Sequence, residues 1–519
     1  MIEDSDFHRR AFEWKLAFPE IFPSGASGGF DIVIGNPPYV RMELLTPFKP
    51  YLEKRYEVVA DRADLYAYFF ELGVRLLKVG GRLGYISSST FFRTGSGEAL
   101  RRYLTDKARI EAVVDFGDLQ IFGGVTTYPA IVTLRRINGH SDDDDLRFLK
   151  ANILPDDLTK AFVTSAQRMP RARLGAGPWR FEGDRLDAIR TKMAAGRKTL
   201  AEVYGAPQRG IVTGLNDAFV LGRERRDALI ARDARSADLL KPFLVGKNLK
   251  RWHVESDDLW LIYTPKNRIN IETYPAIRDH LASFREALEM RATKQNWWEL
   301  QQAQAAYENG FRATKVVYPE ISQGPKFSVD RNPHYLSNKV FFVPRNNAAL
   351  VALLGSKIMW LILFGLASPL RGGQWRLELR EQYMSTLPVP APSASFAALE
   401  PIAIGIQTNS EESRVRSMAF LARLNDVAPG AQSASFLQDW TDFTFDELRR
   451  NLKKRLKVEI PVGERDEWER YFNARKAEVE GLSARIADAE AEINDRVYRL
   501  FDLDRDEIAL IEEEIAGQY

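Results

Sequence analysis

The sequence predicts an α/β chain: a sheet with helices on its faces, then a second, mixed α/β domain, then a helical region. Three observations predict it. Short apolar runs alternate with helix-period stretches between residues 30 and 135. Residues 201–392 are rich in aromatics and turn residues and close on the stiff Leu387-Pro388-Val389-Pro390-Ala391-Pro392. Beyond residue 393 the apolar positions return at helical spacing.

Phe30-Asp31-Ile32-Val33-Ile34 is a short apolar run that stops at Gly35, the pattern of a buried parallel strand. Residues 64–78 read as a helix, with Leu65, Phe69, Leu72 and Leu76 on one apolar face and Gly80-Gly81 as its stop. A strand at 83–86, a helix at 98–104 and strands at 112–115 and 130–134 follow. These place a first sheet domain in residues 1–140. Ser141-Asp142-Asp143-Asp144-Asp145 reads as a solvated loop, because consecutive carboxylates cannot all face one metal ion. It opens a helical connector, residues 141–200. In the helical region, 393–519, Val479, Leu482, Ile486, Ala489 and Ile493 alternate spacings of three and four. That is a seam for packing on another helix, either within a core or at an interaction face.

Composition narrows the chemistry. The 519 residues suggest roughly three to four domains. The absence of Cys removes disulfides, thiolate zinc sites, iron–sulfur clusters and Cys nucleophiles, and fits a reducing compartment. The formal charge of +2 leaves partners open, since cations can still gather on one face. The amino-terminal residues carry acids where a secretory leader needs bases, and residues 351–366 are shorter than the ~20 apolar residues needed to span a bilayer. No membrane and a cytoplasmic location are expected.

Gly35-Asn36-Pro37-Pro38-Tyr39 follows directly on the first strand, at the end of an α/β strand where such folds place their active sites. Pro37 and Pro38 stiffen the corner and leave carbonyls free to accept. Asn36, before a Pro, is held extended. The Asn36 side-chain oxygen and the Pro37 carbonyl can serve one planar –NH2 group, and Tyr39 offers a flat face for its ring. An exocyclic amine on a nucleobase is a poor nucleophile because its lone pair is delocalised. Accepting both its hydrogens frees that lone pair and stabilises the positive charge that develops as nitrogen is alkylated.

At this point the chain resembles the gamma-class DNA adenine-N6 methyltransferases, and among them the fused type IIG restriction–modification enzymes. Asn-Pro-Pro-Tyr after an apolar strand is their catalytic motif. Asp64-Leu65-Tyr66, the segment 77–86, and Phe116-Gly117-Asp118-Leu119-Gln120-Ile121-Phe122 with Val125-Thr126-Thr127 resemble the later family segments in order. The resemblance implies a partial Rossmann-like methyltransferase sheet. It makes Asn36, Pro37, Pro38 and Tyr39 catalytic, with Phe122 packing on a flipped adenine opposite Tyr39 and Tyr128 as its rival. Residues 201–392 resemble the family's target-recognition domain, through segments 210–219, 244–252, 274–277, 297–300 and 387–390. The partner implied is double-stranded DNA. Lys247, Lys250 and Arg251 beside Trp252 suit phosphate contact and stacking, with Arg209 in the same group. Arg371 and Gln374 in a flexible loop suit guanine and adenine edges.

The resemblance also implies S-adenosylmethionine, bound in the family by a Gly-rich turn upstream of the catalytic strand. Residues 24–29 are Gly/Ser-rich but lead straight into the catalytic strand and read as a loop, and Thr94-Gly95-Ser96-Gly97 belongs in family order to a later segment. Glu13-Trp14-Lys15 lacks the apolar strand of a nuclease. No metal site is expected. The first expectation is therefore the catalytic and recognition half of an adenine-N6 methyltransferase, with a separate polypeptide carrying the cofactor-binding half. The alternatives are an inactive DNA-specificity module or a truncated remnant. An amide or RNA methyltransferase fits less well, given the large second domain. Cytosine-N4 transfer also fits less well, since relatives acting there carry Ser in place of Asn36.

Overall fold

Six strands form one mixed sheet in the first part of the chain: β1 (Phe30–Gly35), β2 (Leu77–Ser88), β3 (Ala108–Asp115), β4 (Pro129–Arg136), β5 (Asp145–Lys150) and β6 (Gln167–Pro170). Their spatial order is β1-β2-β4-β3-β5-β6. The computed structural model describes residues 12–23, 28–40, 42–60, 64–117, 119–122, 128–139, 144–151, 153–367, 369–370 and 376–516. The chain divides into two units, residues 1–190 with 365–375, and residues 191–364 with 376–519.

β1 pairs in parallel with β2, β4 runs antiparallel to both β2 and β3, and β5 is parallel to β3. β1, β2, β3 and β5 therefore end on the same side of the sheet, and β4 begins there. Helices α1 (Leu65–Leu76) and α2 (Glu98–Lys107) connect the strands.

α1 stops short of the expected residue 78 because Leu77 already lies opposite Phe30 in the parallel ladder. Gly80 (φ 84) and Gly81 sit inside β2, where the register jumps from Phe30↔Leu77 to Ile32↔Arg82. They accommodate an irregular strand and do not cap the helix. A Cβ on Gly81 would meet the Phe30 carbonyl oxygen at 2.8 Å.

The buried face of α1 also differs from the expected one. Tyr66, Phe70 and Val74 are in the core, packed with Leu83 and Tyr85 of β2. Gly73 draws the helix in on that side, since a Cβ there would meet the Tyr85 hydroxyl at 2.6 Å. Leu65, Phe69, Leu72 and Leu76 are left half-buried.

β1 is not the buried strand its apolar run suggests. It is the edge of the sheet, paired on one side with β2. Val33 faces the core, but Ile32 and Ile34 are 66% and 80% exposed on the opposite face. An open, apolar edge strand is a template for association. Ile34→Lys is expected to reduce concentration-dependent self-association of the isolated chain, read by light scattering. Scattering equal to the parent's would show that this edge is inert.

Residues 141–200 are not simply a connector. β5 and β6 extend the sheet through residue 170, and short polar-flanked strands of this kind carry little period-two signal. In the acidic run, Asp144 forms ion pairs with Arg109 and Arg171; residues 141–143 lie outside the described residues.

Buried charges pin loops of the first unit. Glu71 accepts from the Glu57 and Val58 amides at 2.8 and 3.0 Å. Arg101 donates to the carbonyls of Phe91, Thr94 (2.8 Å) and Ala176 (2.9 Å). Each thus satisfies backbone groups that burial would otherwise leave unpaired.

The second unit holds two four-stranded sheets, one containing Leu240–Leu244 and Leu259–Ile262, the other Lys315–Pro319 and Val340–Val343. Residues 351–366 form part of two buried helices, Ala348–Leu354 and Lys357–Leu366, bent by 62°. Among the described residues no single helix is long and apolar enough to cross a membrane. The helical region is dominated by α3 (Leu399–Val427) and α5 (Arg465–Leu500), with α4 (Phe445–Asn451) between them in sequence. α3 packs on α5, and Val479, Leu482 and Ile493 are buried. The seam is therefore used inside the chain. Phe420 stacks on Trp440 at 3.9 Å beside it.

Candidate active site

The corner Asn36-Pro37-Pro38-Tyr39 leaves β1 at the shared strand end. Its aim is set from below and from the side. Gly35 lies opposite Tyr85, and a Cβ at Gly35 would come within 3.3 Å of that ring. Burial pushes the Tyr85 phenol up to about 12, so it stays a neutral wall. On the far side of the corner, the Val40 carbonyl accepts from the Leu65 amide at 3.0 Å, tying the loop to the start of α1. Pro37 is buried and Asn36 is exposed. The Asn36 amide is thus carried on a fixed backbone yet faces outward.

The loops from β2 and β3 close around the corner. Ser88, Thr90 and Tyr66 form a hydroxyl chain at 2.8 and 3.0 Å, and the Ser89 amide donates to the Tyr128 carbonyl at 2.6 Å. After β3, the Phe116 amide donates to Pro129, Gly117 to the Asp115 carboxylate at 3.0 Å, and Leu119 to Phe116. This turn delivers Phe122 to Tyr39, with ring centroids 6.4 Å apart and planes inclined by 57°. Two stacking contacts at about 3.5–4.0 Å each need roughly 7 Å between rings. The pair is therefore close to base-sandwich spacing and needs a rotation toward parallel. Among the described residues the buried Tyr39 hydroxyl has no hydrogen-bond partner, and burial raises its phenol above the ordinary value of 10.0. Of the two candidate rings, Phe122 is the one brought to Tyr39.

Beside the corner, a groove of about 470 Å³ runs along β1, lined by Val33, Gly35, Asn36, Pro37, Leu72 and Tyr85 among others. Of the half-buried residues of α1, Phe69, Leu72 and Leu76 line it. Its walls suit a flat apolar body. Their polar side chains are Trp14, Asn36 and Tyr85, and none of the lining residues carries a charge to meet a carboxylate or an ammonium group. S-adenosylmethionine therefore fits this groove in part, and its polar ends need groups these walls do not carry. In the rival Gly-rich turn, Gly95–Gly97, Gly95 is exposed but Gly97 is packed against its own chain: a Cβ there would overlap the Phe91 carbonyl oxygen, and Arg101 donates to the Thr94 carbonyl behind it. Residues 24–27 lie outside the described residues. Among the described residues no group of His, Asp and Glu could hold a metal ion.

Sequence reasoning missed a set of cations near the same strand ends. Arg93 follows β2, Lys150 ends β5, Arg93 and Arg190 lie within electrostatic reach of Lys150, and the same two lie within reach of Arg180. Glu182 pairs with Arg190 at 2.9 Å. Burial, then the neighbouring Arg190, hold the Arg180 guanidinium below its usual value, and among the described residues its buried Nε has no partner. They are scattered in sequence, and only the topology collects them.

The recognition residues in the second unit fare less well. Trp252 is 4% exposed and donates its indole N–H to Glu490, so it is a core residue and cannot stack on a base. Lys247 pairs with Asp257 at 2.8 Å, Lys250 with Glu255 at 3.5 Å and Arg251 with Glu490 at 2.6 Å. Arg209 donates to the Asn338 carbonyl at 3.0 Å and pairs with Glu320 at 3.4 Å. Each expected phosphate contact thus already has an anion within the protein. Arg371 and Gln374 lie outside the described residues.

Residues 2–122 match the family model of the Eco57I restriction-modification methylase, and residues 395–497 match a domain of unknown function. Among curated relatives, the type II methyltransferase M.BstVI of Geobacillus stearothermophilus is 25% identical over 407 residues, covering 70% of this chain and 68% of that one. M.PaeR7I of Pseudomonas aeruginosa is 26% identical, covering 70% and 65%. Among solved structures, the type IIL restriction-modification enzyme MmeI in complex with DNA superposes on 92% of this chain with a TM-score of 0.56 at 12% identity, and 55% of that chain is covered. That likeness concerns the fold. The chain spans about two thirds of the curated relatives and about half of the solved one.

Proposed function

We propose that this relative of the type II restriction–modification methyltransferases is a DNA adenine-N6 methyltransferase subunit that presents a flipped adenine to its methyl donor. The observation that carries the reading is the Asn36-Pro37-Pro38-Tyr39 corner with Phe122 drawn up to Tyr39 at 6.4 Å. S-adenosylmethionine supplies an electrophilic methyl group when bound.

The chain's own residues do the rest. Tyr39 and Phe122 open and rotate to hold the extruded purine. Stacking on an aromatic is worth roughly 1–3 kcal/mol per base, comparable to the few kcal/mol that flipping costs. The Asn36 side-chain oxygen and the Pro37 carbonyl accept the two amino hydrogens, draw the nitrogen toward tetrahedral geometry and favour the positive charge that grows there. The buried phenols of Tyr66 and Tyr85 keep the site free of competing charge near neutral pH. The polar ends of the donor are met by a separate polypeptide that adds to the open edge of β1, covering Ile32 and Ile34. The partly fitting groove and that exposed edge both support this.

Expression together with neighbouring genes in a host lacking adenine methylation, followed by mass spectrometry of the DNA nucleosides, tests the reading. N6-methyladenine is expected; methylcytosine alone, or no methylated base, would overturn it. Phe122→Ala should lower kcat/KM for transfer by about 5- to 150-fold, the kinetic equivalent of one base stack. The loss should shrink on a substrate with a mismatched target adenine, which is cheaper to flip. An equal loss on both substrates would assign Phe122 to the core.

A further inference from the structure

The helical region carries a concentration of positive charge that the active site does not use. Residues 449–465 hold seven Lys and Arg against two Glu, in a chain whose overall excess is only +2. The cause is local structure as well as composition. After α4, the backbone widens into a π-helical turn, Leu452–Leu456, closed by Lys457 at φ 61. Leu448 and Leu452 anchor its inner side in the core, so Lys453, Lys454 and Arg455 turn outward. A π turn is a costly irregularity that recurs at functional positions.

The turn and the start of α5 enclose a groove of about 450 Å³. Arg449, Arg450, Lys453 and Arg465 line it, with Asp446 and Glu459. Asp446 takes Arg449 at 2.8 Å, and Glu459 takes Lys453 at 2.6 Å. Arg450 and Arg465 donate to backbone carbonyls, those of Asp446 and Ile460, at 3.4 and 3.3 Å. Two guanidinium groups therefore face a groove whose carboxylates are already engaged. Their remaining donors suit the two charged oxygens of a phosphate group, which a guanidinium can take in pairs.

We infer that this groove binds the phosphodiester backbone of duplex DNA. The inference rests on the DNA-methyltransferase reading above, which makes duplex DNA the polyanion at hand. It assigns the helical region a task that its match to a domain of unknown function leaves open. Such contacts fix register on the duplex and carry no sequence information.

The test uses the full chain and a fluorescein-labelled duplex of arbitrary sequence, with affinity followed against salt by anisotropy. Arg450→Gln with Arg465→Gln, and separately Lys453→Gln with Lys454→Gln, should each weaken binding about tenfold or more at low salt. Each should also flatten the slope of log K against log salt by about 0.9 for every phosphate no longer neutralised. Arg450→Lys with Arg465→Lys should keep most of the slope, because the charge persists. If the parent binds duplex and the Gln variants match its slope, this inference falls and the methyltransferase reading stands. If RNA or an acidic peptide displaces the duplex at lower concentration, the ligand assignment is wrong. If the parent does not bind duplex at all, both fall.

Discussion

Asn36→Ala is expected to slow methyl transfer by roughly 100- to 1,000-fold, the usual loss when one fixed dipole aimed at a developing charge is removed. Duplex affinity should not change. The substitution removes one of the two acceptors for the amino hydrogens and leaves the Pro37 carbonyl, so a residual rate should remain. Asn36 is exposed and makes no side-chain hydrogen bond among the described residues, so the fold has little to lose. The rate is best read in a single turnover, with labelled donor and the cofactor-binding polypeptide supplied. Asn36→Asp should fare little better than Ala for neutral adenine, because a full charge beside the corner must be desolvated when the base enters. Transfer by Asn36→Ala at the parent rate would remove the corner from the mechanism.

Lys315→Met should have the largest effect on stability. Lys315 is fully buried on the strand Lys315–Pro319, directly opposite Asp330 in the antiparallel ladder, and its ammonium lies 2.9 Å from that carboxylate. It also donates to the carbonyls of Phe311 and Asn332 at 2.8 and 3.0 Å. Removing it leaves Asp330, itself 2% exposed, with only the His334 ring at 3.0 Å and the Asn332 amide at 3.1 Å. Breaking a buried pair in this way costs about 3–5 kcal/mol. The melting midpoint of the second unit should fall by roughly 6–20 °C. Pairing Lys315→Met with Asp330→Leu should recover much of the loss, since an apolar replacement of the whole pair leaves no orphan charge.

The pH dependence gives a second readout. Burial opposes ionisation of Asp330, but the hydrogen bond from His334 and the charge of Lys315 win and hold its carboxyl below the ordinary 3.8. A depressed carboxyl stabilises the folded chain above pH 3.8 and loses that contribution as pH falls through the folded value. The stability gap between parent and variant should therefore be full near neutrality and narrow below about pH 4. A gap independent of pH would mean that Lys315 contributes packing and no charge pairing.

Legibility followed the distance over which each signal acts. The Asn36-Pro37-Pro38-Tyr39 corner was readable because its four residues are neighbours in sequence, and the strand before it was readable from a contiguous apolar run. That the strand is an edge, with Ile32 and Ile34 uncovered, depends on what packs beside it, and no local pattern carries that. The same holds for Trp252. Next to Lys250 and Arg251 it looks like a stacking platform, yet Glu490, far along the chain, takes its N–H and buries it. β5 and β6 escaped because four to six polar-flanked residues show too little alternation to stand out. Gly80-Gly81 was read as a helix stop, and sheet pairing at Leu77 overrode it. Turn composition says that the chain bends, not in which element.

One consequence follows from β4 lying antiparallel between β2 and β3. The two sides of the proposed base slot are built differently. Asn36 and Tyr39 form an anchored jaw, gauged against Tyr85 through Gly35. Phe122 belongs to the hairpin that joins β3 to β4, and a hairpin can lengthen, shorten or be exchanged without disturbing the ladders on either side. The opposing jaw is thus an adjustable insert. Chains of this design could be retuned for a different guest by swapping residues 116–128 alone, with the clamp's fixed half left untouched.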